Sequence, residues 1–109
     1  MILIYSPFPN REEARTASLT LLQEGLIACA NLLPQGLSLY VWEGKIQEED
    51  ETYVLFKTTV ELAEKAKKRL EEIHPYEVPA VIAWDTTANR AFENWVTTVT
   101  KASESLLKR

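Results

Sequence analysis

The sequence predicts one α+β domain across residues 1–109, in which an antiparallel sheet has two helices packed on one face. Segments rich in β-branched and aromatic residues alternate with segments of helical spacing, in the order βαββαβ followed by one more helix. The chain is 46% hydrophobic and 26% charged, a composition typical of soluble globular proteins. About two-thirds of the unfolded surface can be buried at this length, so a hydrophobic core is expected.

The first strand and the first helix have clear local signals. Met1–Tyr5 is a short β-branched and aromatic run, which predicts a strand. Asn10 is a favourable N-cap residue, and Glu13 three positions later completes a pair that resembles a capping box. Gly25 stands where the residue after a helix C-terminus belongs. The first helix is therefore expected over residues 10–24.

A long, kinked hairpin is predicted next. Residues 26–33 are apolar and form a strand, and the Pro-Gln-Gly segment 34–36 interrupts it as a bulge or bend would. Residues 37–46 resume the strand with alternate side chains on opposite faces. The acidic run 48–51 then turns the chain as a solvated hairpin tip, and residues 52–57 return as the third strand.

The second helix is expected over residues 59–73. Thr58 and Glu61 have the spacing of a capping box at its start. Pro75 disfavours helical geometry at His74, so the helix should stop there.

The fourth strand and the last helix complete the pattern. Residues 81–84 form a strand after Pro79, a residue tolerated at the start of a strand. The apolar residues of the last helix recur at i, i+3, i+4 and i+7: Phe92, Trp95, Val96 and Val99. This order of elements is the split βαβ, ferredoxin-like arrangement.

The strand sequences also indicate that the second face of the sheet is covered. A sheet with one wet face alternates apolar and polar residues, whereas residues 2–5, 26–30 and 81–84 do not alternate. The last helix is too small to cover the whole face. We therefore expect a partner subunit on it.

Charge and composition exclude several classes of function. Sixteen acidic and twelve basic residues give a net charge of −4, so nucleic acid is not an expected partner. Cys29 is the only cysteine, which excludes an intramolecular disulfide and fits a reducing cytoplasm. The sequence has neither a signal peptide nor a run of about 18 apolar residues, so no membrane association is expected. The three glycines are scattered, which argues against a phosphate-binding loop.

Four short motifs occur together along the chain: ACANLLP at 28–34, SLYVWEGKI at 38–46, KT at 57–58 and HPYEVP at 74–79. Together they resemble the CutA family of divalent-cation tolerance proteins, over nearly the whole length. The resemblance implies a ferredoxin-like fold and a tight homotrimer, joined partly by strand pairing between sheets. It also implies a link to copper and other divalent metals, but no established enzymatic activity.

Cys29 and His74 are the candidate metal ligands. A thiolate suits Cu(I) and other soft ions, and an imidazole suits copper and zinc. The resemblance supports both positions, although two donors found in metal-binding relatives correspond to Ser6 and Ile73 here. The structural alternatives are a small buried hydrophobic residue at Cys29 and an imidazolium at the helix C-terminus at His74.

A second candidate site is an interface or cleft between subunits. Tyr40, Trp42 and Glu43 lie on the long hairpin, where aromatic residues are typical of interface packing. The alternative is a small-molecule cleft, in which polar contacts to an anion or a metal complex come from Lys57, Tyr76 and Glu77.

The function expected from these observations is that of a thermostable, trimeric divalent-cation tolerance protein. Copper or another divalent ion would bind weakly, with no obligatory cofactor, in response to metal ions. The alternative is a structural or signalling trimer, similar to PII proteins, that binds a small ligand between subunits and binds metal only incidentally.

Overall fold

An antiparallel four-stranded sheet organises the structure, a computed structural model that describes residues 1–100. The elements are β1 (Ile2–Phe8), α1 (Arg11–Gln23), β2 (Cys29–Trp42), β3 (Lys45–Thr58), α2 (Ala63–Ile73), β4 (Ile82–Asp85) and α3 (Arg90–Val99). The strand order is β2-β3-β1-β4, with every neighbouring pair antiparallel. The predicted α+β class and split βαβ order are confirmed.

The main core lies between α1, α2 and one face of the sheet. Ile4 of β1 and Phe56 of β3 are cross-strand partners on this face, and both are fully buried. Leu21 of α1 and Leu70 of α2 belong to the same buried cluster. Burying an aliphatic or aromatic side chain of this size stabilises the fold by about 1.5–3 kcal/mol.

The ends of α1 follow the predicted capping pattern. The Glu13 backbone N–H donates to the Asn10 side-chain oxygen at 2.9 Å, which satisfies one free donor of the first turn. At the other end Gly25 has a φ of 72°, and the Leu26 N–H donates to the Leu21 carbonyl at 3.0 Å. These contacts form a Schellman motif. Leu26 belongs to this helix end, and the Ala28 N–H already donates to the Lys57 carbonyl of β3, so β2 starts at Cys29 rather than at residue 26.

The hairpin turn lies at Glu43 and Gly44. Their φ angles are 50° and 76°, and two positive φ angles in a two-residue loop are typical of a type I′ turn. The prediction of a turn at 48–51 is therefore wrong, because this acidic run lies within β3. Pairing with residues 36–39 of β2 outweighs the low strand propensity of acidic side chains.

The outer half of the hairpin projects beyond the rest of the sheet. β1 pairs with β3 only from Thr52 onward, so residues 45–51 pair with β2 alone. We call this two-stranded part, residues 36–51, the extension. Its seven β3 residues span about 23 Å. The register shifts by one residue between Leu33 and Gly36, which confirms the predicted bulge.

The two faces of the extension differ. On the face that continues the helix-covered side, four aliphatic side chains are exposed. We call them the aliphatic strip: Leu37, Leu39, Val41 and Ile46. The opposite face holds Ser38, Tyr40 and Trp42, as the predicted alternation required.

The start of α2 differs from the prediction. Thr58 is the last residue of β3, and its hydroxyl donates to the Leu26 carbonyl at 2.7 Å instead of capping the helix. The Thr59 hydroxyl accepts the Leu62 N–H at 3.2 Å, and the helix proper begins at Ala63. The predicted capping box of Thr58 and Glu61 is therefore wrong. The predicted stop before His74 is confirmed.

The last helix, α3, lies against the second face of the sheet. Lys57, on the face opposite to that of Phe56, places its ammonium nitrogen 5.5 Å from the centre of the Phe92 ring. The Glu93 carboxylate lies 3.8 Å from the N-terminal nitrogen of Met1. Among the described residues, no helix is long and apolar enough to cross a membrane.

Candidate functional site

Cys29 lies at the beginning of β2 as a partly exposed free thiol. Its cross-strand neighbour is Lys57, which in turn pairs with Leu3 of β1. These three residues form one row across the sheet, on the face that α1 and α2 do not cover. The partly exposed thiol is thus accessible to a soft metal ion. The other two residues of its row, Lys57 and Leu3, do not provide a second ligand.

His74 is buried, with 8% of its surface exposed, and its ring points into the body of the protein. Its Nδ1 accepts the Tyr76 backbone N–H at 3.1 Å, so the neutral ring carries its proton on Nε2. Nε2 then donates to the Pro7 carbonyl at 2.9 Å. The ring also stacks on Phe8, with 4.2 Å between ring centres.

These contacts correct the view of His74 as an imidazolium at the helix C-terminus. Burial lowers the pKa of His74 from its ordinary value, while the hydrogen bond to Pro7 and the carboxylates of Glu13 and Glu51 oppose that shift. The ring is therefore held in the neutral form. To bind a metal, it would have to give up one of its two hydrogen bonds.

The two candidate metal ligands do not converge within one chain. Cys29 lies in the row of Leu3, whereas His74 contacts Pro7, four residues further along β1. Four residues of strand correspond to about 13 Å. Within residues 1–100, no group of three or more His, Cys, Asp or Glu side chains is arranged to hold a metal ion. The Ser6 hydroxyl is buried and donates to the Ala80 carbonyl at 2.6 Å.

Several of the predicted cleft residues meet in a groove of about 490 Å³. It lies between the extension and residues 76–80, the segment that follows α2 and His74. We call it the acidic groove, and its lining residues are Pro7, Ser38, Tyr40, Trp42, Gln47, Glu49, Glu51, Tyr76, Glu77, Val78 and Ala80. Of the six residues predicted for a cleft, the structure brings together four here: Tyr40, Trp42, Tyr76 and Glu77.

A hydrogen bond between Tyr76 and Glu51 ties the two sides of the acidic groove together. The Tyr76 hydroxyl donates to the Glu51 carboxylate, joining the segment after α2 to β3. Burial, this bond and the nearby carboxylates raise the pKa of Tyr76 far above its ordinary value. Burial and Glu49 also raise the pKa of Tyr40. Both phenols are therefore neutral throughout the physiological pH range.

Tyr53 supports the base of the extension beside the groove. Its hydroxyl lies 2.6 Å from the Ser38 hydroxyl, and its ring stacks on Tyr5 with 6.2 Å between centres. A Cβ atom at Gly36 would lie 2.3 Å from the Tyr53 ring. Glycine at the bulge thus allows the ring to lie against β2.

The other two predicted cleft residues lie elsewhere. The Lys57 ammonium group donates to the Asn31 side-chain oxygen at 2.6 Å, near α3. Glu43 occupies the exposed hairpin turn. The sequence interpretation missed Glu49 and Glu51, because it placed them in a turn. Their spacing of two residues, which puts both on one face of a strand, was the signal that could have identified them.

The fold defines a class of small α+β proteins with a four-stranded antiparallel sheet and three helices. Residues 2–99 match the sequence model of the family described as CutA1 divalent ion tolerance protein. The chain belongs to this family.

Individual relatives agree with this assignment. The divalent-cation tolerance protein CutA of Pyrococcus horikoshii is 44% identical over 102 residues, covering 93% of this chain and 99% of the relative. The protein of the same name from Thermus thermophilus is 38% identical, covering 81% of this chain and 86% of the relative. The crystal structure of CutA1 from Pyrococcus horikoshii superimposes with a TM-score of 0.88 at 43% identity, covering 93% and 99% of the two chains.

Proposed function

We propose that this protein is a homotrimer that acts in the cellular response to divalent cations and binds copper or another divalent ion weakly. Membership of the divalent ion tolerance family supports the general role. The observation that carries the proposal of a trimer is the aliphatic strip. A two-stranded ribbon with an exposed apolar face is marginal by itself, so a neighbouring subunit is its natural cover.

The metal would bind through the Cys29 thiolate, with further ligands from a neighbouring subunit or from solvent. His74 is a poorer candidate because both of its ring nitrogens are engaged. A thiolate prefers Cu(I) to the hard ions Mg²⁺ and Ca²⁺. With few donors near Cys29, we expect a dissociation constant in the micromolar range or above, which corresponds to about −8 kcal/mol or a smaller magnitude. A lone free thiol suits a reducing cytoplasm.

Titration with Cu(I) under anaerobic conditions tests the metal part of this proposal. Calorimetry is performed on the wild type, Cys29→Ser and His74→Ala, with Glu48→Gln as a control for exposed carboxylates. We expect Cys29→Ser to weaken binding at least tenfold and Glu48→Gln to leave it unchanged. Because His74 is buried, circular dichroism must first establish that His74→Ala is folded. If both Cys29→Ser and His74→Ala bind copper like the wild type, neither residue is a ligand.

A second candidate function is favoured by the acidic groove. Here the protein is a structural or signalling trimer, similar to PII proteins, that binds a small molecule without catalysis. The support is that Tyr40, Trp42, Tyr76 and Glu77 come together in one groove of about 490 Å³. That volume suits a small organic molecule better than a bare ion.

A further inference from the structure

The charged side chains of the acidic groove all have the same sign. Glu49, Glu51 and Glu77 line it, and none of the described residues that line it is Lys, Arg or His. Low-dielectric walls concentrate the field of such charges within a cleft. The groove therefore attracts cations and repels anions, contrary to the expectation of an anion-binding cleft that included Lys57.

Glu51 is the informative member of this set. It is 7% exposed, and its carboxylate accepts one hydrogen bond, from Tyr76. Within residues 1–100, no other side chain or backbone group donates to it, and no cation forms an ion pair with it. Buried carboxylates in proteins are normally paired with a positive charge. The groove thus contains a buried carboxylate that no ion pair neutralises among the described residues, although Arg11 and Arg15 line a neighbouring pocket with it.

The aromatic residues of the groove suit an organic cation rather than a metal ion. Tyr40, Trp42 and Tyr76 offer π faces, which attract ammonium and guanidinium groups. The raised pKa values of Tyr40 and Tyr76 keep both rings neutral. A hard divalent ion instead requires six or more converging oxygen ligands, and the groove carboxylates do not form such a cluster among the described residues.

We propose that the acidic groove binds a small organic cation, a protonated amine or guanidinium compound, with its charged head on Glu51 and its hydrocarbon part against Trp42. This inference rests on the second candidate function, in which the groove is a ligand site. It does not depend on copper binding at Cys29, which lies at the end of β2 opposite to the extension.

Calorimetric titration with a matched series of small molecules tests the proposal. Butylamine and butylguanidine carry the cation, whereas 1-butanol has the same hydrocarbon chain without charge and butyrate has the opposite charge. We expect the wild type to bind the two cations and neither of the other compounds. Binding of butyrate or butanol with equal affinity would overturn the assignment to cations, while the groove would remain a ligand site. Absence of binding for every compound would overturn the ligand site itself.

Three variants locate the cation. Glu51→Gln removes the charge but retains an acceptor for Tyr76, and we expect it to weaken cation binding at least tenfold. Trp42→Ala, at a partly exposed position, should weaken it about threefold to tenfold. Asp50→Asn is the matched control, because the neighbouring Asp50 faces the opposite side of β3, and its affinity should stay within twofold of the wild type. Unchanged affinity in both Glu51→Gln and Trp42→Ala would overturn the proposal.

Two further measurements separate the possible explanations. The first is titration with butylamine before and after the assembly is dissociated. If the amine binds only to the dissociated chains, a basic side chain of a neighbouring subunit fills the groove, and the proposal of a free ligand is wrong. Copper titration of Glu51→Gln distinguishes this site from the metal site. We expect unchanged copper affinity in that variant, and a parallel loss of copper and amine binding would overturn the separation of the two sites.

Discussion

Phe56 and Ile46 lie on the same face of the same strand, yet Phe56 is fully buried and Ile46 is 78% exposed. The inner half of β3 is covered by α1 and α2, which the same chain supplies. The outer half, in the extension, has no helix above it among residues 1–100. The difference teaches that an apolar pattern does not by itself identify what covers it, because the described residues cover one half of the strand and leave the other half exposed.

The largest expected effect comes from placing a charge in the aliphatic strip. In a trimer that buries the strip, Val41→Asp leaves an unpaired buried carboxylate in each of three subunits, at a cost of about 3–5 kcal/mol each. We expect the mass measured by light scattering to fall from about three times 12.4 kDa to that of a single chain.

Val60→Asp is the matched control for this change. Val60 is 58% exposed against 71% for Val41, but it lies in the turn before α2, away from the strip. This variant should keep the wild-type mass and melting temperature. A wild-type mass of one chain, or a trimer unaffected by Val41→Asp, would show that the strip is not an interface.

The next largest effect tests the half of the strand that its own chain covers. Phe56→Ala should lower the free energy of unfolding by about 3–5 kcal/mol, because it leaves a cavity in the main core. Chemical denaturation at several protein concentrations measures this loss. Ile46→Ala, on the same face, should act through assembly and therefore depend on protein concentration. An equal, concentration-independent loss in both variants would remove the distinction between the two halves.

The smallest expected effect concerns the pH dependence of the protein's folding stability. The pKa of His74 is lowered in the folded state, so the unfolded chain takes up its proton first as the pH falls. The stability contributed by the neutral ring is fully present above the unfolded pKa of about 6.5. It declines as the pH drops below that value toward the folded pKa.

The melting temperature of the wild type and of His74→Gln between pH 7.5 and 5 measures this contribution. Because His74 is the only histidine, the decline between pH 6.5 and 5 should be shallower in the variant. Parallel curves for the two proteins would show that His74 titrates alike in the folded and unfolded states.

Local signals account for the parts of the fold that the sequence predicted well. Asn10, Glu13 and Gly25 act within a few residues of the helix end that they define, so α1 could be located closely. The sequence places the hairpin turn wrongly because acidic side chains have a low strand propensity. The cross-strand partners that hold residues 48–51 in β3 become visible only in three dimensions.

The candidate site was predictable only in part for the same reason. The aromatic residues of the groove, Tyr40 and Trp42, were recognised from their alternation. Glu51 was not, because its burial depends on Tyr76, which is 25 residues away in sequence. The burial that lowers the pKa of His74 likewise depends on packing against residues distant in sequence, such as Phe8, on which its ring stacks. Contacts of this range have no signature in a single sequence.

The bulge between Leu33 and Gly36 determines which side chains of the outer part of β2 lie on each face of the hairpin. Before it, even-numbered residues of β2 point toward the helices; after it, odd-numbered residues do. The one additional residue in the bulge thus determines whether the aromatic or the aliphatic side chains of β2 face the groove. Removing Gln35 would exchange the two faces of the outer β2 strand without altering any of their side chains. The length of this short segment therefore specifies the surface chemistry of the extension as strongly as its composition does.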